Sequence, residues 1–489
     1  MNVKEIFGTL RPHLLVALLF LVVLFILFTP AFQGKKINQG DIRQHKGMAK
    51  EIADFREKHG EEPLWTNAMF SGMPAYQISV IYKGNLAMQM KEMLRFGLPR
   101  PADKLFILML GFYALLLVLG VAQWPAIFGA LLFAFSSYFF QILEAGHTSK
   151  MVAISYYAPM LIGIILLFRK QYLLGGLLWT AFFGIELAAN HVQITYYFGY
   201  FLLSVFIYKF IKFQKSGELL HFAKVTGIVV VGVLLGVLMN IGNLWLTYDY
   251  SKHTIRGKSE LTAATEADKS DGLDKDYITR WSYGVDETLN FLVPNFKGGS
   301  SSQPISDNKD ALKVVDPAYR QIVGSMPQYF GTQPFTSGPN YMGVVALYLF
   351  ILAAFFYREK IRWVILVPVA LALMLAWGRN FMGLTDFFID HVPLYNKFRV
   401  VLMWLVLPEF LVPLFGILFL DRLLKNPDIL KDKTKKFLAV SGTLIAVVLI
   451  IYLAPGTFNE FIPDTEFQRI EGQISNAGWS QQQKDDLYQ

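Results

Sequence analysis

Three clusters of polar residues interrupt an otherwise apolar sequence, and they carry the carboxylate, imidazole, amide and ammonium groups that exchange protons or hold anions. Asp41 follows the first apolar run. Glu144, His147, Ser149 and Lys150 fill a turn between two later runs, and Glu186, Asn190, His191 and Gln193 fill another. Ionisable groups at the ends of membrane helices are expensive to keep and count as functional candidates, set against the duller readings of snorkelling and helix capping. Glu144 and His147, three residues apart, share one face if their turn is helical. Asn190, His191 and Gln193 would contact a ligand or simply satisfy backbone groups at a helix junction. The chain has no cysteine, which excludes disulfides, thiolate metal sites and cysteine nucleophiles, so any metal must use His, Asp or Glu.

The elements that must position these groups are apolar helices. Hydrophobic residues make up 54 % of the chain and charged residues 17 %, with a mean hydropathy of +0.39. Apolar runs at 13–32, 104–121, 124–144, 151–168, 172–190, 192–211, 223–248, 341–357, 361–377, 399–420 and 437–454 predict an all-α polytopic membrane protein of about eleven spans. The first run follows Lys4 and Arg11 but has no small-x-small cleavage site, so it is expected to be a retained anchor. A net charge of +8 would suit nucleic acid, but the basic residues fall in short clusters between apolar runs. Membrane topology accounts for them better, and no nucleic-acid partner is expected. Clusters at Arg169 and Lys170, at Lys209 to Lys224, at Arg358 to Arg362 and at Arg422 to Lys436 place the amino terminus in the cytoplasm.

That topology puts all three polar clusters on the extracytoplasmic side, together with long loops at 33–103 and 249–338 and a tail at 455–489. Residues 1–248 then form a membrane core and 339–454 the C-terminal spans. In the first loop, Ile42, Met48, Ile52 and Phe55 give the stretch Asp41 to His59 an amphipathic pattern fit for a membrane surface, and Leu86 to Phe96 gives a second. The Gly-Gly-Ser-Ser-Ser run at 298–302 predicts a flexible connection. No internal repeat and no Gly-rich nucleotide loop is present.

Asp41 with Trp65, Gly72 and Pro74, AGHTSK at 145–150, ELAANHVQITYY at 186–197, YFGTQPFTSGPNYMG at 329–343 and PLYNKFR at 393–399 together resemble the YfhO family of bacterial membrane proteins. That family is similar to the GT-C glycosyltransferases. The resemblance implies an enzyme of the bacterial cytoplasmic membrane that takes a sugar from a polyprenyl-phosphate donor. The sugar passes to a glycan, lipid or protein acceptor of the envelope, with membrane lipids as the surrounding partner. Members are often longer, with further helices and a soluble portion, so the resemblance also implies a shortened form or a fragment. It makes Asp41 the general base, against the alternative of a helix N-cap. Glu144 and His147 become catalytic candidates, and a divalent metal ion on Asp41, Glu144 and His147 is a further expectation that no ligand spacing supports. Lys150, Arg256, Lys397 and Arg399 are cations for the departing phosphate, with lipid headgroups as the alternative. Asn190, His191 and Gln193 become sugar or acceptor contacts, and Tyr76, Trp65, Tyr196, Tyr197 and Tyr329 candidate stacking faces, where an interfacial aromatic belt is the plainer reading. Glu409, between Pro408 and Pro413 in an apolar run, is the residue that favours a transporter or flippase instead. A non-catalytic envelope scaffold is the third reading.

Overall fold

The computed structural model describes residues 3–257, 272–457 and Ser480. The side chain of Lys4, residues 258–271 of the second long loop and nearly all of the expected tail beyond 457 lie outside the described residues. Helices of eight residues or more are α1 (Val3–Leu27), α2 (Gly40–Met48), α3 (Lys50–His59), α4 (Leu86–Met93), α5 (Ala102–Val118), α6 (Gln123–Ala134), α7 (Ser137–Ala145), α8 (Thr148–Ser155) and α9 (Tyr157–Phe168). They continue with α10 (Tyr172–Leu187), α11 (Val192–Ser216), α12 (Leu219–Met239), α13 (Ile241–Ser251), α14 (Val344–Phe356), α15 (Arg362–Ala376), α16 (Met382–His391), α17 (Val406–Lys425) and α18 (Thr434–Leu453). A two-residue hairpin, β1 (Trp65–Thr66) with β2 (Met73–Pro74), pairs Trp65 with Pro74.

Each expected apolar run contains helix, but among the described residues six helices are long and apolar enough to cross a membrane, and eight if each bent pair counts as one span. The bent pairs are α6 with α7, at 43°, and α15 with the segment Gly378–His391, at 113°. The remaining three, α5, α10 and α14, have 17, 16 and 13 residues. Thirteen residues rise only about 20 Å against a hydrocarbon core of about 30 Å. The expected helix at 223–248 is also broken, at Asn240. Its buried amide donates to the carbonyls of Gly184 and Gly236 at 2.9 and 3.0 Å and accepts from Asn85.

Helix α17 forms the centre of the bundle, with every residue from Val406 to Ile417 buried. Phe410 gathers the neighbouring helices around one ring: Phe112 of α5 and Phe133 of α6 stand 5.7 Å away, Tyr157 of α9 5.8 Å, and Phe198 and Phe201 of α11 6.2 and 6.3 Å. These separations suit edge-to-face aromatic packing. At the crossing of α9 and α10, a Cβ on Gly163 would stand 2.6 Å from the Trp179 nitrogen, so only glycine allows the two backbones to approach this closely. Helix α1 buries Val16, Phe20 and Leu24, one stripe at four-residue spacing, and turns Leu14, Leu15, Leu18 and Val22 outward. Helix α18 buries only Ile451 and lies at the periphery.

Two expectations for the loops are corrected. The amphipathic stretch from Asp41 to His59 is two helices, α2 and α3, joined at Ala49, and Ile52 is its buried anchor. The Gly-Ser run is pinned rather than flexible: Ser300 is buried and donates to Ser302 or the Thr336 carbonyl, while the Ser301 amide donates to that same carbonyl at 3.0 Å.

Phe410→Ala should destabilise the fold by about 3–5 kcal/mol, because the helices around it cannot collapse into the vacated space. Leu234→Ala, on an exposed face of α12, should change little. Thermal unfolding of the detergent-solubilised variants checks both, and equal effects would contradict the central role of Phe410.

Candidate functional site

The site is built where α2 rests on the turn between α7 and α8. Helix α7 ends at Gly146, whose φ of +93° lies in the left-handed region that favours glycine. A Cβ there would stand 3.2 to 3.3 Å from Ile42, Asp41 and Gln39, so the turn and the start of α2 are packed in close contact. The Gln39 amide adds a hydrogen bond to the Leu143 carbonyl. Helix α7 is itself aimed by its first turn. Ser137 donates to the Pro339 carbonyl at 2.6 Å and accepts from the Tyr341 amide at 2.7 Å, and Ser136 donates to Glu409 at 2.6 Å. The string at 329–343 therefore anchors the bend between α6 and α7.

This seating brings His147 Nε2 within 3.3 Å of Asp41 Oδ2, with the two side chains 42 % and 57 % exposed and so open to an incoming ligand. Lys150, one turn along α8, is 7 % exposed, and its ammonium lies 5.4 Å from the centre of the Tyr138 ring. Among the described residues no carboxylate lies within 4 Å of that ammonium. Burial and the Lys150 charge push His147 down to about 4, and burial and Lys150 push His191 to about 4 as well. Both imidazoles are therefore neutral at pH 7.

Several expectations need correction. Asp41 is not the N-cap of its helix: Gln39 holds that position and Asp41 lies in the first turn. Glu144 and His147 do not share a helical face, because Gly146 ends α7 between them and Glu144 points outward, exposed. Among the described residues no three His, Asp or Glu side chains gather as a metal group, and Glu144 is exposed away from the Asp41–His147 pair. Tyr76 sits in the turn Ala75–Gln77. Trp65 is exposed and covers Gly72 across its hairpin, whereas Tyr197 is buried, stacked on Trp404 at 4.0 Å, and offers no free face. Tyr329 donates to the buried Glu287 at 2.7 Å, and Thr332 and Gln333 donate to the same carboxylate.

The other residues lead away from the dyad towards a group of cations. Asn190 takes a φ of +56° and turns the chain from α10 into α11, while Glu186 accepts from Thr195 across that turn. Gln193, buried, donates to Tyr197 and to the Arg399 carbonyl, both at 2.7 Å. Arg256 Nε donates to the Lys397 carbonyl at 3.2 Å, and Lys397 Nζ returns a bond to the Arg256 carbonyl at 2.9 Å. Burial and the neighbouring Arg399 charge lower Arg256. Arg399 donates to the Tyr277 hydroxyl at 2.6 Å, and the Val400 amide to the Ile278 carbonyl at 3.0 Å, which stitches this segment to the second loop. Sequence reasoning missed Gln39, Tyr277 and Glu287. Gln39 could have been found as the residue ahead of α2, whereas Tyr277 and Glu287 have no local signal.

The lowered His191 sets a pH dependence. Near pH 6.5 the unfolded chain takes up a proton that the folded His191 refuses until about 4, so stability falls as pH drops through that window and is untouched above it. The variant His191→Asn should flatten the fall in thermal midpoint between pH 6.5 and 5. A profile identical to that of the wild type would contradict it.

The chain matches no protein-family model, no curated protein and no solved structure.

Proposed function

We propose that the protein is an integral membrane glycosyltransferase that moves a sugar from a polyprenyl-phosphate donor to an acceptor hydroxyl of an envelope glycan, lipid or protein. The observation that carries this reading is the Asp41–His147 pair, held open at the α2 and α7–α8 contact with Lys150 beneath it. In the proposed step, Asp41 takes the proton of the acceptor hydroxyl. The freed oxygen pair forms the new bond to the anomeric carbon as the bond from that carbon to the phosphate oxygen breaks, and the phosphate leaves with those electrons. Lys150, Arg256, Lys397 and Arg399 stabilise the charge that it carries away. His191, Asn190 and Gln193 border the sugar, and no step is routed through a metal.

This reading includes eleven spans, counting the short and bent helices as partners in a thick bundle. It also includes a bacterial cytoplasmic membrane, a cytoplasmic amino terminus and an extracytoplasmic site, which the basic clusters between the apolar runs support. The alternative with an observation behind it is a lipid transporter. Glu409 is 1 % exposed inside α17 and among the described residues its Oε1 has no hydrogen-bond partner, as expected of a carboxyl that exchanges a proton within a membrane.

Purified protein in nanodiscs, given a panel of polyprenyl-phosphate sugars, should release lipid phosphate. Asp41→Asn should lower that release by about 10² to 10⁴-fold while leaving folding intact. A chelator arm reports whether a divalent ion contributes. If no donor is consumed, labelled lipid crosses the membrane, and Glu409→Gln harms that crossing more than Asp41→Asn does, the transferase reading fails.

A further inference from the structure

A cavity of about 460 Å³ lies between the end of α1, the start of α2 and the turn into α5. Five cations line it, Lys35, Lys36, Lys46, Arg100 and Lys104, and none of its lining residues is acidic. The formal charge on its wall is therefore +5, in a chain whose total is +8. Lys104 is buried and already paired with Asp103 at 3.1 Å. Among the described residues, no carboxylate lies within 4 Å of Lys35, Lys36, Lys46 or Arg100. Four like charges around one hollow repel one another unless an anion is present, so this arrangement lowers the cost of binding one. The volume falls within the range of small-ligand sites.

The rest of the wall says what kind of anion fits. Ala31, Ile37 and Leu143 give it an apolar side. The cavity begins where α1 ends, and there Phe25, Ile26 and Leu27 are 52 %, 71 % and 41 % exposed on the outward face of an apolar helix. A ligand with a phosphate head and hydrocarbon chains could put its head among the lysines and lay its chains along α1. Lysine binds phosphate as a point charge and Arg100 adds a two-pronged donor.

We infer that this cavity is a binding site for a phosphate-bearing anion, with the headgroup of an anionic membrane lipid as its occupant. Gln39 and Ile42, on either side of Asp41, line it together with Leu143 and Thr148 of the turn that carries His147, so an occupied cavity would brace the start of α2 against that turn. The site stands apart from the transferase reading, since it requires only binding.

The test uses the full chain, delipidated in detergent and titrated with phosphatidylglycerol or phosphatidylcholine, with bound lipid counted by native mass spectrometry. The wild type should hold one phosphatidylglycerol more tightly than phosphatidylcholine. Lys35→Gln, Lys36→Gln and Lys46→Gln together should weaken it on the order of tenfold, Arg100→Gln alone should weaken it less, and Lys431→Gln with Lys433→Gln, away from the cavity, should leave it unchanged. Displacement of the lipid by inorganic pyrophosphate would keep the phosphate site and assign it to a free anion. Equal binding by the wild type and both cavity variants, or equal affinity for the two lipids, would overturn the inference.

Discussion

The arrangement of the candidate site rests on one missing atom. Gly146 has no Cβ, and the space a Cβ would fill is shared by Gln39, Asp41 and Ile42. The same residue needs a positive φ to end α7 and start α8. One glycine thus satisfies a conformational demand and a packing demand at once, and any other residue would meet neither at low cost. The distance between Asp41 and His147 follows from this seating, since one side chain comes from the first long loop and the other from the turn beneath it.

The seating can be rigid only if α7 is. Its start is fixed by hydrogen bonds between Ser136, Ser137 and the segment from Pro339 to Tyr341, and by the contact of Ser136 with Glu409. Buried polar groups in an apolar bundle are costly unless paired, so each such bond specifies where its helix must sit. Glu186 with Thr195 and Asn240 with the Gly184 carbonyl act in the same way at the α10–α11 turn and at the α12–α13 break. Glu409 differs from these, because one of its oxygens stays unpaired. Polar pairs tie the bends together, and aromatic packing around Phe410 fills the space between them.

Hydropathy is a one-dimensional property, and so the helices could be read along the chain. Their breaks could not. The bend at Ser136 depends on Tyr341, and the turn after α15 depends on Arg379 reaching the Thr279 carbonyl, partners that lie hundreds or about one hundred residues away. Of the site, Asp41, His147, Lys150 and His191 were legible because charged residues are rare near apolar runs. Their grouping follows from Gly146, which reads in sequence only as a turn. Glu144 shows the opposite case: a carboxylate in the last turn of α7 stays exposed and takes no part in the pair, although its place beside His147 in sequence suggests otherwise.

The structure holds two groups of cations, and it holds them differently. Arg256, Lys397 and Arg399 are tied to carbonyls and to the Tyr277 hydroxyl, so their positions are set before any ligand arrives. Preorganised charge of this kind is what stabilises charge that develops during a reaction, because little reorganisation is needed at that moment. Among the described residues Lys35, Lys36, Lys46 and Arg100 have no carboxylate within 4 Å and sit on long side chains at the edge of a hollow, where they can adjust to a ligand that is already charged. The first arrangement suits a leaving phosphate and the second a resident headgroup. Asp41 lies in the first turn of α2, and Gln39 and Ile42 around it line the cavity, so the charge of that hollow meets the same short helix that carries the dyad.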